Sequence, residues 1–234
     1  MTTRKRVRIV QDNEAENPRN WDNQVKLYCW HRRYNLGDEH SYDSSDFLQD
    51  LACEHDPDLE DYIDRLENDV TYKLYERAGN NGCDTYGECC EYAEKFVRPR
   101  INARIEKSLN DGYVILPINM YDHSGIALST SSFSCPWDSG QVGWAVIDKD
   151  TLDREFAGDV GCAEECIRAE IETYSQYIRG DVWGYVAEEL VDDEWTETDS
   201  CWGFFGSDVE TNGMKDNLSD DYHDALEQAT IYYA

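Results

Sequence analysis

An α+β fold, with a mostly antiparallel sheet of about five to seven strands and helices packed on it, is what this 234-residue sequence predicts. Three observations carry that expectation. Runs of β-forming residues follow one another without an intervening helix, which argues against βαβ alternation. Between those runs lie segments whose apolar residues recur at helical spacing. Hydrophobic residues make up 40% of the chain and aromatics 12%, with 7 Trp and 16 Tyr, a composition for a packed core and not for a disordered chain. There is no internal repeat and no Ser/Gly linker, so residues 1–234 are read as a single globular domain.

The elements follow in order. VRIVQD (Val7–Asp12) alternates and predicts a strand, and VKLYCWH (Val25–His31) predicts a second, followed by a turn at Gly37. Ser44 or Ser45 is placed to cap a helix over Asp46–Cys53. Pro57 starts another, with Leu59, Tyr62, Ile63 and Leu66 on one face, running to about Arg77. NNGCDTYGECC (Asn80–Cys90) breaks the pattern and reads as an inserted loop. Helical spacing resumes over Glu91–Leu109, where Pro99 predicts a kink or a restart. Tyr113–Ser124 reads as a long strand, with Pro117 marking an edge position or a bulge. Gly125–Thr130 pairs back on it across a turn at His123–Gly125, and Val142–Asp148 is a further strand. A short helix over Thr151–Phe156 precedes the clearest one, Cys162–Arg179, which ends at Gly180. Val182–Leu190 and Ser200–Gly206 predict a strand pair across an acidic loop, and Asn217–Tyr233 a closing helix with Leu218, Tyr222, Leu226 and Ala229 inward.

Charge is the next constraint. The formal net charge is -29, and residues 36–70 and 181–234 hold 26 of the excess negative charges. Lys is scarce, at 7 against 14 Arg. Three readings compete: a salt-adapted surface, an acidic surface that aids solubility, and mimicry of a nucleic acid. For the third, 26 charges match about 44 Å of duplex at one charge per ~1.7 Å, close to the ~45 Å diameter of a compact chain of this length. Direct binding to nucleic-acid phosphates is disfavoured, because the only basic stretch is Arg4–Arg8, with Arg32 and Arg33 beyond it. No apolar run is long enough to cross a membrane. The N-terminus lacks the apolar stretch of a secretory signal, so a cytoplasmic location is expected. The odd, irregular set of 9 Cys is read as reduced thiols.

Several blocks carry a resemblance: PRNWDN (Pro18–Asn23), CWHRRYNLGDEH (Cys29–His40), YDHSGIALST, FSCPWDSGQVGW, YSQYIRGDVWGYV (Tyr174–Val186) and DSCWGFFG (Asp199–Gly206). Together they resemble a family of hypothetical proteins of phages, prophages and plasmids. The resemblance implies a mobile-element context and a host-takeover or counter-defence role, without implying an activity.

The stretch Tyr121–Gly143 concentrates chemistry-bearing residues in a near-neutral window. Cys135, His123 and Asp138 are the candidate catalytic set, a thiolate with an imidazole base and a carboxylate, the thiol placed by Cys135-Pro136 at a helix N-terminus. Against this, Pro136 lacks the N–H that acyl-transfer sites often use for the oxyanion, so that Gln141 would have to substitute. The candidate binding residues are Trp21, Asp22, His31, Arg32, Arg33, Tyr34, Asp38, Trp137, Gln141 and Trp202. The Arg pair suits a phosphate or carboxylate, or pairs internally with Asp22 or Asp38. Trp137, Trp144, Trp183, Trp202 and Tyr185, interleaved with glycines, make either a stacking groove or an aromatic core. No cofactor is predicted; the zinc alternative is Cys83 with Cys89 and Cys90, or Cys162 with Cys166. No metal site is assigned to Asp220, Asp221, His223 and Asp224, or to Asp192, Asp193 and Glu194.

These features favour a non-enzymatic, acidic accessory protein that binds a host or viral protein with a basic nucleic-acid-binding surface. A Cys135/His123 hydrolase or transferase is the alternative, and a virion or assembly protein a third.

Overall fold

The computed structural model describes residues 4–80, 82 and 85–233. It is an α+β arrangement with eight strands in two mostly antiparallel sheets of four, where the sequence suggests one sheet of five to seven. Contacts divide the chain into two compact units: residues 1–38, 116–145 and 165–234, and residues 39–115 and 146–164.

The first unit contains the sheet built from β1 (Lys5–Gln11), β6 (Val182–Val191), β7 (Glu194–Phe205) and β8 (Thr230–Tyr232) in the order β7-β6-β1-β8. The pairs β1/β6 and β6/β7 are antiparallel and β1/β8 is parallel. Val7, Ile9, Trp183, Tyr185, Ala187 and Phe204 form its apolar face, and Met214, Leu218, Tyr222 and Leu226 cover it. Leu218, Tyr222 and Leu226 were expected on one continuous helix. The chain instead makes two single turns, α7 (Met214–Asn217) and α8 (His223–Leu226), joined through a 3-10 turn, before β8. Leu218 is extended and breaks the run, and the β-forming Thr230–Tyr232 pairs with β1. The i, i+4 burial survives because each turn keeps helical spacing locally.

The acidic connection expected between β6 and β7 is mostly strand. Only Asp192 and Asp193 form the turn, both at positive φ (51° and 66°), the requirement of a two-residue type I′ hairpin.

The second sheet has the order β2-β5-β3-β4, from β2 (Lys26–Cys29), β5 (Ser139–Asp148), β3 (Tyr113–Asp122) and β4 (Ile126–Ser129). The β3–β4 hairpin turns at Ser124 and Gly125, both at positive φ. Its ladder runs from Asp122↔Ile126 to Asn119↔Ser129, so Pro117 falls beyond the β4 partners, where a missing N–H breaks nothing on that side. Gly143 is required on β5: a Cβ there would sit 2.1 Å from the Tyr28 carbonyl oxygen. Residues 165–179 of α6 (Val160–Arg179) are tied to this part of the chain: Ser175 Oγ accepts from Leu128 N–H and Tyr174 Oη from Gly37 N–H.

The second unit is helical. Its apolar core is Ala52, Leu59, Ile63, Leu66, Leu74, Ala93, Val97 and Ile101, from α1 (Phe47–His55), α2 (Leu59–Arg65), α3 (Thr71–Asn80) and α4 (Tyr86–Gly112). A π-turn over Leu66–Val70 links α2 to α3, so the helix expected from Pro57 to Arg77 is present in two joined pieces. Helix α4 starts earlier than its periodicity suggests, because Thr85 and Glu88 form a reciprocal capping box, and it continues through Pro99. The expected loop therefore ends at Thr85. Ser108 donates to the Ala52 carbonyl at 2.7 Å and locks α4 to α1. Helix α5 (Lys149–Phe156) is capped by the Asp148 side chain and ends at Ala157 in the left-handed region. Of the acidic blocks, residues 39–70 belong to this helical unit and 181–234 to the first.

Candidate functional site

An open groove of about 360 Å³ runs along the second sheet, lined by His31, Arg33, Met120, Asp122, Trp137, Asp138, Ser139, Gly140 and Val142. Three segments build it. Residues after β2 bring His31 and Arg33, the end of β3 brings Asp122, and the turn leading into β5 brings Trp137 and Asp138. The Asp122 N–H donates to the Asp138 carbonyl at 2.8 Å, which fixes the two carboxylate-bearing segments side by side.

The three predicted catalytic residues lie close together, with Asp138 on the groove, but in a different order. Cys135 Sγ donates to Asp138 Oδ2 at 3.3 Å, and His123 Nδ1 lies 3.6 Å from the same oxygen. The carboxylate is the hub. A thiolate–imidazole pair needs the imidazole against the sulfur, and here thiol and imidazole both face the carboxylate instead. Cys135-Pro136 also begins a turn, not a helix, so the expected N-terminal dipole is absent. Ser139 Oγ donates to the Cys135 carbonyl at 2.5 Å and stiffens that turn.

Among the binding candidates, His31 stacks on Tyr34 with centroids 4.9 Å apart and planes within 7°. Arg33 pairs with Asp122, not with the Asp22 or Asp38 expected for it, and its guanidinium carbon is 5.3 Å from the Tyr34 ring centroid. Tyr34 Oη donates to the other Asp122 oxygen at 3.4 Å. Trp137 is 93% exposed, and Arg32 is exposed as well. Gln141 Nε2 donates to the Gly143 carbonyl at 3.2 Å and is committed along its own strand.

The remaining candidates lie elsewhere. Trp21 packs edge-on against Phe205, with centroids 5.4 Å apart, and Asp22 is exposed nearby in sequence. Trp202 lies against Gly184, where a Cβ would meet its ring at 2.3 Å; this is the close approach that aromatic–glycine alternation implied. Asp38 turns inward to Arg19, whose side chain is 5% exposed: Arg19 Nε and Nη2 donate to its two oxygens at 3.1 and 2.8 Å. Arg19 Nη1 also donates to Glu170 at 2.9 Å, and Nη2 to the Val25 carbonyl at 2.7 Å. Burial, with Asp38 nearby, pushes the Cys29 thiol up to about 12.

Asp122 and the Arg19–Glu170 pair are the important residues that sequence reasoning missed. The Asp122 signal was present: an acid at a strand end within the chemistry-rich window. Nothing in sequence linked residues 19 and 170. Among the described residues no group of three or more His, Cys, Asp or Glu is placed to hold a metal ion, and Cys83 lies outside them. Cys90 Sγ is 2.8 Å from the Tyr75 hydroxyl. His223 Nε2 is held by the Lys215 and Leu218 carbonyls, each at 3.1 Å. No described helix is long and apolar enough to cross a membrane.

Comparison with known proteins found no matching family model, no matching curated protein and no matching solved structure.

Proposed function

We propose that this chain is an acidic binding protein whose helical unit engages the basic, nucleic-acid-binding surface of a host or viral protein. Taken with its resemblance to proteins of phages and plasmids, the role is counter-defence or host takeover. One observation carries this reading. Asp46, Asp50, Glu54, Glu60, Asp64 and Glu67 are exposed, and no described cation lies within ion-pair distance of any of them. Asp46 is the N-cap residue of α1, and Asp50 and Glu54 follow at i+4 and i+8, so the three acids lie along one face about 6 Å apart. An acidic face without neutralising partners suits a surface that meets positive charge.

The cations of β1 point the same way, because they are engaged internally. Lys5 pairs with Asp221 and Glu189, and Arg6 and Arg8 share Glu188 at 2.7 and 3.0 Å. The one basic strand thus offers little free charge to phosphates. The Cys135–Asp138–His123 order supports binding better than thiol catalysis.

The test replaces those six acids with Asn or Gln and compares capture of partners from host extract at low and high salt, with duplex DNA as competitor. The expected result is capture of a nucleic-acid-binding protein by the wild type, displaced by DNA, and at least tenfold weaker capture by the variant. Equal capture by both proteins would overturn the proposal.

A further inference from the structure

We propose that the groove beside Trp137 receives an arginine side chain of the partner, with Asp138 as its carboxylate and Trp137 as its aromatic cover. The inference rests on the reading that the partner is basic, and it names where and how one of its residues docks.

Beside the groove the chain already makes one such arrangement from its own residues. Asp122 holds the Arg33 guanidinium, the guanidinium carbon lies 5.3 Å from the Tyr34 ring centroid, and Tyr34 completes the triangle by donating to Asp122. A second carboxylate and a second ring line the same groove, those of Asp138 and its chain neighbour Trp137. Among the described residues no arginine pairs with Asp138. Its neighbours are the Cys135 thiol and His123, which is 3.6 Å away and carries charge only when protonated.

Trp137 strengthens the parallel. Indole is the most favourable ring for a cation, and this one is 93% exposed on a turn that the Ser139–Cys135 hydrogen bond holds in place. A ring so exposed forgoes the burial that usually makes tryptophan valuable, so its position is best explained by what covers it.

Charge selects the ligand. The field of a chain at -29 repels anions, phosphates included, and raises the local concentration of cations. Arginine is preferred to lysine because its planar fork can meet a carboxylate with two parallel hydrogen bonds while stacking on an aromatic face.

The test uses the full chain and two labelled peptides, one of alternating arginine and glycine, the other with lysine in place of arginine. Binding is read by fluorescence anisotropy at low salt, for the wild type, W137A, D138N and the charge-matched control D192N. Because Trp137 is exposed, W137A is expected to fold as the wild type does, which circular dichroism checks. The expected result is tighter binding of the arginine peptide, a loss of about tenfold in W137A and in D138N, equivalent to about 1.4 kcal/mol, and no loss in D192N. Wild-type affinity in W137A and D138N would overturn the proposal, as would indifference between arginine and lysine. Binding that falls when the helical-unit acids are neutralised but survives W137A removes the groove proposal and leaves the proposed function standing. A wild-type protein that binds neither peptide removes both.

Discussion

Burying a guanidinium costs several kcal/mol unless its charge and its donors are matched, and Arg19 meets that condition with two carboxylates and a main-chain carbonyl. Asp38 in turn accepts from the Leu27 N–H at 2.8 Å, and Glu170 from the Gln24 and Val25 N–H groups. One network thus ties the 3-10 turn at Pro18–Asn20, β2, the turn at Gly37 and α6. Arg19→Ala leaves two partly buried carboxylates without their cation, so a loss of about 3–5 kcal/mol is expected. Against a total of roughly 5–15 kcal/mol for a domain, that is a large drop in the urea midpoint, and a change under 1 kcal/mol would refute the assignment. Converting Arg19, Asp38 and Glu170 together to apolar residues of similar size should cost much less, because no orphaned charge remains. This residue scale was only partly legible in the sequence. The density of His, Cys, Asp and Gly over Tyr121–Gly143 marks a stretch that contributes Asp122, Trp137 and Asp138 to the groove, and Cys135 and His123 lie against Asp138. Their order depends on which rotamers the turn at Pro136 permits, and composition does not encode that. The partners of Arg19 and Arg33 were invisible for a related reason: residue type establishes that a buried Arg needs an acid, while the fold decides which acid arrives.

At the scale of elements, the hairpin β6–β7 shows how charge and backbone geometry interact. Asp192 and Asp193 both occupy the left-handed region, where a non-glycine residue pays about 1–2 kcal/mol. Asp is among the residues that tolerate it, but glycine is better at the second position of a type I′ turn. Asp193→Gly is therefore expected to raise stability by about 1 kcal/mol, seen as a higher urea midpoint at unchanged m-value. A lower midpoint would mean that the Asp193 carboxylate does something the hairpin needs. Sequence reasoning read this stretch as a loop because a run of acids usually signals solvated connection, yet Glu194, Glu197 and Asp199 stand on β7, an edge strand of its sheet. Charge on an edge discourages pairing with other chains and is compatible with strand structure. The C-terminal segment misled in the opposite sense. Leu218, Tyr222 and Leu226 are buried as their spacing implies, but i, i+4 periodicity cannot distinguish a continuous helix from two short turns that share a face. The strands of the second sheet and helices α1, α5 and α6 were legible from their spacing, and Gly180 ends α6 as expected, whereas the N-cap of α1 is Asp46 and not Ser44 or Ser45.

For the whole molecule, charge is the dominant physical fact. Fifty acids against 21 Lys and Arg mean that repulsive pairs outnumber attractive ones. Salt weakens both kinds, but exposed ion pairs contribute only about 0–1 kcal/mol each, so the relief of repulsion wins. The screening length falls from about 30 Å at 0.01 M to about 3 Å at 1 M, from a distance comparable with the size of the protein to that of a single contact. Stability should therefore rise across that range. A gain of about 2 kcal/mol appears as a rise of about 4–8 °C in thermal midpoint for a chain of this size. Thermal unfolding in a sodium chloride series measures it, and a flat or falling midpoint would show that repulsion is already neutralised by structure or by bound cations. The same series separates the two leading explanations of the acidity. A surface shaped for salty surroundings gains stability with salt and has no affinity to lose. A surface that docks on a basic partner also gains stability, while its affinity falls as screening removes the long-range attraction. Opposite slopes, stability up and affinity down, are what the acidic stripe on α1 and the arginine-accepting groove require together.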